Sequence, residues 1–317
     1  MIKTKARGNQ LIECMRIVCC VVILFIHTGF PLPPPARSPA VAVSRFAVPF
    51  LILLSGWYTD HDGGTEKAKK KLKDTFRVVI FGGSLCIFWN CINSFLKTNS
   101  LTSWMRGYMT KETVVNFLLY NRAIFINSVF YYFFIMIYVY VVFITVQRLA
   151  ITKYIYMFMP LLLAGGIYIC EFTELPWYYG GNFLFTGLPV FFLGYILRLY
   201  HEQLIRFKSK EWVFLTAGVI STLLEHRYLG DHYLYIGAII TSVFLFIFCI
   251  NHEQMNCPLF FVSAGTFLSL PIIVIHCQVR DSLRIIRDFG PYGLPLLVLA
   301  CSTVLAIVYN TLKIRGR

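Results

Sequence analysis

Charge is what this sequence has least of. Only 14% of its 317 residues are Asp, Glu, Lys or Arg, and the acids number 15, whereas an ordinary soluble domain is about 25% charged. Too little polar side chain is left to clothe a water-facing surface, which excludes a soluble globular domain. Disorder is excluded as well, because 17% of the residues are aromatic and disordered chains are poor in aromatics. The signatures of several large enzyme classes are also missing. There is no P-loop, no GxGxxG and no GxSxG, which argues against nucleotide-driven transport and against an α/β-hydrolase. The ten cysteines form no CxxC pair and no Cys/His cluster at zinc spacing. All but Cys257 lie in or beside apolar runs and read as small buried hydrophobes, so no metal is expected.

What the sequence has in excess is apolar residues, 57% of the chain. A helix crosses a bilayer with about 20 mostly apolar residues, and ten stretches offer that: 11–30, 41–59, 75–96, 128–147, 152–170, 183–199, 212–229, 233–250, 259–279 and 291–314. The fold expected is all-α, a polytopic membrane helix bundle of about ten transmembrane helices, with 1–317 as a single domain. The first run lacks a small-residue cleavage site and is expected to stay as an anchor. The proline-rich stretch Pro31 to Pro39 is expected to be non-helical. The one long connection, 97–127, is expected to carry an interfacial helix at 111–125.

The net charge of +14 would suggest nucleic acid in a soluble chain. Here it marks orientation instead. With the N-terminus inside, the cytoplasmic segments, beginning with Lys3, Lys5 and Arg7, hold 18 basic residues and the opposite ones 10. That bias predicts both termini in the cytoplasm, a cytoplasmic membrane as location and the lipid bilayer as partner, with no nucleic acid.

Ionisable groups inside spans are costly and are functional candidates by default. The first span holds three, Glu13, Arg16 and His27. Eleven residues separate Arg16 from His27, so they lie within about 20° of one another and about 16 Å apart along the axis. Glu13, three residues before Arg16, can pair with it. The plainer alternative is that Arg16 reaches for headgroups and His27 caps the helix.

A second group sits at the far ends of other spans: Glu225 with its neighbour His226, His276, and Arg45. A histidine near an acid can take a proton from a hydroxyl, and an arginine can steady an oxyanion; each singly is also an ordinary helix-end anchor. At the opposite side, Lys67, Lys69, Lys70, Lys71 and Lys73 lead to Arg77. Such a run anchors a protein to anionic headgroups, and the same residues with Arg16 suit the phosphates of a cytoplasmic donor. Ser55 and Gly56 in the second span let a helix or a ligand chain approach closely.

Arg16 followed after ten residues by His27 resembles the R-x10-H signature of acyltransferase family 3, the multi-pass membrane O-acyltransferases. Arg45 to Tyr58, RFAVPFLILLSGWY, is similar to that family's second helix. The lysine run falls where its basic cytoplasmic loop is expected, and SLPIIVIHCQ resembles its Leu-Ile-His helix. The resemblance implies an enzyme that transfers an acyl group, usually acetyl from acetyl-CoA, to a hydroxyl of a glycan, lipid-linked or other envelope acceptor of a bacterial-type cell. It implies His27 as general base, with Glu225 and His276 as further catalytic candidates. Glu13, Arg16, Lys70, Lys73 and Arg77 would hold the acyl-CoA, and Arg45 and Ser55 the acceptor. Two departures stand out: Glu13 replaces the family's more common Asp, and lysines replace arginines in the basic run. With no hydrolase-like domain after the last span, the reaction is expected to finish within the bundle. The segment NFLFTGLPVFFLGYILR and Glu225 also resemble the membrane half of membrane-bound serine racemases. That resemblance implies instead a transporter or binding module, here without a racemase domain.

Overall fold

The computed structural model describes residues 9–59, 63–98, 100 and 103–315; Lys3, Lys5, Arg7 and Arg317 lie outside the described residues. Helix dominates, and no strand occurs among the described residues. Asn9 starts the first helix, α1 (Gln10–Thr28), its side-chain oxygen accepting from the backbone N–H groups of Leu11 and Ile12 at 3.1 and 3.2 Å. Gly29, at φ +95°, ends it. The next two helices, α2 (Pro34–Ser44) and α3 (Ala47–Trp57), follow end to end as one 24-residue body.

That start corrects the expectation of a non-helical stretch to Pro39. Pro34 and Pro35 occupy the first turn, where no backbone N–H is needed, and only Pro39 sits inside the helix. The lysine run is likewise no loop. It forms α4 (Gly64–Arg77), which continues through a five-residue π turn (Val78–Gly82) into α5 (Gly83–Thr98) as a single 35-residue body. Two short helices follow, α6 (Ser103–Tyr108) and α7 (Lys111–Tyr120). The second is the expected connection helix. It ends five residues early because Asn121 turns left-handed at φ +61°, a conformation Asn tolerates better than most residues.

The remaining helices are α8 (Phe130–Arg148), α9 (Thr152–Phe172), α10 (Leu188–Leu199), α11 (His201–Leu204), α12 (Glu211–Leu229), α13 (Ile236–Asn251), α14 (Leu259–Phe267), α15 (Ser269–Ile286) and α16 (Gly290–Arg315). By length and composition six bodies among the described residues can cross a membrane, or eight when two bent pairs count as spans. Ten were expected, and the shortfall from ten to eight has two causes. The helix α13 is apolar but only 16 residues long, and α12 ends in Glu225, His226 and Arg227. The expected span 259–279 is broken by a 68° bend between α14 and α15.

Glycines set the closest contacts. A Cβ on Gly56 would lie 2.0 Å from the Phe191 carbonyl oxygen, and one on Gly194 2.0 Å from that of Leu53, so α3 and α10 meet backbone to backbone. Gly265 of α14 touches α1 in the same way, its Cβ position 1.9 Å from the Glu13 carbonyl oxygen. Apolar surface is no driving force between helices in lipid, and close packing through small residues takes its place. The ring-rich core, with Phe50, Phe143, Phe191, Phe192 and Phe246 fully buried, fills the space around α3, α8 and α10.

Candidate functional site

Near the C-terminal end of α1, His27 opens on a cavity of about 380 Å³ walled by residues of six separate stretches of chain. That volume is in the range of small-molecule sites. Arg280 donates to the His27 carbonyl oxygen at 2.9 Å and is itself held by Asp281 at 2.8 Å, which fixes the end of α1 against α15. Ser128 Oγ lies 3.5 Å from His27 Nδ1. His276, on α15, stands beside His27 with ring centroids 5.5 Å apart. It is fully buried, and its Nδ1 faces the Ile272 carbonyl oxygen at 3.1 Å. A carbonyl accepts only, so Nδ1 carries the hydrogen and Nε2, buried without a partner, keeps a lone pair.

Arg45 lines the same cavity. Its guanidinium lies over the Tyr233 ring at 5.6 Å, and its buried Nε has no partner. Tyr233 stacks on Trp177 at 4.6 Å and gives its hydroxyl hydrogen to Tyr131 at 2.7 Å. Asp231 and His232 complete the polar part of the wall. One face of the cavity is therefore aromatic, and the rest offers a cation, an acid and imidazoles.

Sequence reasoning found His27, His276 and Arg45 here and missed Tyr131, Trp177, Asp231, His232 and Tyr233. They converge from the start of α8 and from two connections distant in sequence, which no local pattern joins. Glu225 is not brought to His27. It accepts from the Ile236 N–H at 2.6 Å, the Gly237 N–H at 2.9 Å and the Ser221 hydroxyl at 2.6 Å, so it caps the start of α13. An anion at a helix N-terminus satisfies otherwise orphaned N–H groups. The buried Glu171 of α9 lies against it.

Toward the other end of α1, Arg16 Nη1 contacts both Glu13 oxygens, at 3.1 and 2.9 Å, and Thr266 donates to the same carboxylate at 3.2 Å. Glu13 therefore orients Arg16, whose side chain stays 35% exposed. Lys71 of α4 lies within electrostatic reach of Arg16 and Glu13, and Tyr58 within reach of Glu13, Arg16 and Arg198. Lys70, Lys73 and Arg77 are exposed on α4, and Arg77 pairs with Asp74 at 3.1 Å. Lys71, exposed like Lys70 and Lys73, is the lysine within electrostatic reach of Arg16, while Lys70 and Lys73 were the ones singled out. Between the two ends, Ser55 bonds its own Leu51 carbonyl at 2.9 Å. Beside it is Tyr132, which is also within reach of Arg16.

Residues 9–309 match the model of a family described as an acyltransferase domain. No curated protein and no solved structure matches.

Proposed function

The chain belongs to that acyltransferase family, and from this premise we propose that it transfers an acetyl group from acetyl-CoA to a hydroxyl of a glycan or lipid-linked acceptor. The location proposed is a bacterial-type cytoplasmic membrane, and the outcome is O-acetylation, a modification of polysaccharide or another envelope molecule. One observation carries the reading. A single helix holds His27 on a cavity and, about 16 Å along its axis, Arg16 within electrostatic reach of a second cation, Lys71.

In this reading Arg16 and Lys71 hold donor phosphates, and the acyl arm runs past Ser55 toward His27. His27 takes the proton of the acceptor hydroxyl as its oxygen bonds to the acyl carbon. The carbon–sulfur bond breaks, and the departing thiol recovers the proton from the imidazolium. Arg45, which lines the cavity and whose buried Nε has no partner, suits the oxyanion that forms at the carbonyl. The stacked Trp177 and Tyr233 suit the apolar face of a sugar ring.

The test is ester analysis of the cell-surface glycan from a deletion strain carrying wild type or His27→Ala. One ester should disappear on deletion, return with wild type and stay absent with the variant. Full acylation by an inserted His27→Ala protein overturns the role. A second reading has one observation in its favour, the presence of Arg45 and Asp231 on one cavity. Such a pair suits the carboxylate and ammonium of an amino acid, as a transporter or binding module would need. Uptake of labelled amino acid by vesicles, with no acyl-CoA binding by calorimetry, would replace the enzyme with that module.

A further inference from the structure

Glu171, the last residue but one of α9, is a carboxyl group that the transfer reaction leaves unused. It is 6% exposed, and both its side-chain oxygens are buried without a partner. An ionised carboxylate is costly in such a place, because nothing replaces the water it gives up. The side chain set against it is a second acid, Glu225 of α12.

The surroundings of Glu225 decide which of the two keeps a proton. Glu225 accepts from the Ile236 N–H at 2.6 Å, the Gly237 N–H at 2.9 Å and the Ser221 hydroxyl at 2.6 Å. Those bonds, and its place at the start of α13, favour the anion. Two carboxylates in contact repel, so Glu171 is the acid and gives its hydrogen to Glu225. The other titratable groups nearby leave that arrangement standing. The Cys170 thiol and the Tyr235 phenol lie within electrostatic reach of Glu171, while Arg45 and Asp231 stand further out, within reach of Tyr235.

The pair lies at a joint. The helix α9 packs along α10 and the π turn Phe183–Gly187, and two polar contacts tie its end to α12 and α13. One is the carboxyl pair. The other is His232, whose Nδ1 lies 2.7 Å from the Cys170 carbonyl oxygen. His232 belongs to the stretch from Asp231 to Leu234 that walls the His27 cavity. Loss of the shared proton sets two buried anions against each other one residue from that contact, and so drives the end of α9 off the wall.

We propose that Glu171 and Glu225 are a proton-binding site, and that the one proton they share clasps α9 to the wall of the His27 cavity. With the proton bound the clasp is closed. As the pH rises the proton leaves to water past Glu225, which is only half-buried, and the wall loosens. This site goes beyond the transfer reaction and needs neither His27 nor acyl-CoA.

The test uses the full chain purified in detergent. Dicyclohexylcarbodiimide attacks protonated carboxyl groups in apolar surroundings, and mass spectrometry reads its adduct on the peptide holding Glu171. Labelling should be present at about pH 5, fall about tenfold or more by about pH 10 and vanish in Glu171→Gln. The melting temperature of the wild type should drop over the same range, because the folded chain holds a proton that the unfolded chain gives up. Glutamine carries its own hydrogen to Glu225, so Glu171→Gln should drop less. Absence of an adduct on folded wild type overturns the proposal, as does labelling that does not change with pH; both readouts stand even if the variant fails to fold. Protection of Glu171 by sodium or calcium chloride at constant ionic strength would make the ligand a metal cation and overturn the assignment to a proton.

Discussion

At one end of α1, Arg16 is held by an acid three residues away on its own helix, with 35% of its side chain open. At the other, His27 is set by groups from elsewhere: Arg280 on its carbonyl, His276 beside its ring and Ser128 near its Nδ1. The first arrangement is local and survives wherever the helix forms. The second exists only when α1, α15 and the turn before α8 are docked. A binding end tolerates this looseness, since a phosphate accepts charge from many directions. A proton-transfer end does not, because the base must meet a hydroxyl at hydrogen-bond distance.

Five substitutions sharpen the contrast. The largest effect should come from His27→Ala, with transfer falling by a factor on the order of 10² to 10⁴ while donor binding, measured by calorimetry, stays near wild type. Loss of donor binding as well would dissolve the distinction between the ends. Next, Gly265→Ala should force α14 away from Glu13 and cost about 1–3 kcal/mol, seen as a lower melting temperature. Unchanged melting would mean that α14 can shift away from α1 without loss of packing. Third, Arg16→Ala should weaken acyl-CoA binding by roughly tenfold, the worth of one charge-assisted hydrogen bond, with little change in the rate at saturating donor. Smallest of all, Lys71→Gln should weaken donor binding a few-fold and Lys70→Gln less, because exposed charges contribute little. The reverse order would restore the importance given to Lys70 from the sequence.

The relation between Arg16 and His27 was legible because both sit on one helix, where spacing alone determines angle and depth. The partners of His27 were not. His276 is 249 positions away, and nothing in SLPIIVIHCQ says which helix it will face. Glu225 was misread for the same reason. It stood as a catalytic candidate, an acid beside a histidine, and its carboxylate instead meets the N–H groups of Ile236 and Gly237. Lys70 and Lys71 differ by one residue, a rotation of 100°, and only the docking of α4 decides which one reaches Arg16.

By itself the sequence determined that this is a membrane bundle, where most helical bodies run, and that one face of α1 carries Glu13, Arg16 and His27. Those are properties of composition and helical period, which act within a segment. Tertiary structure alone decided that two histidines share a corner, that Asp231, Tyr233 and Trp177 wall the same cavity, and how many helices are long enough to span. Such facts depend on how helices pack. In lipid, packing is set by close backbone contacts such as Gly265 on Glu13 and Gly194 on Leu53, which a hydrophobic pattern does not encode.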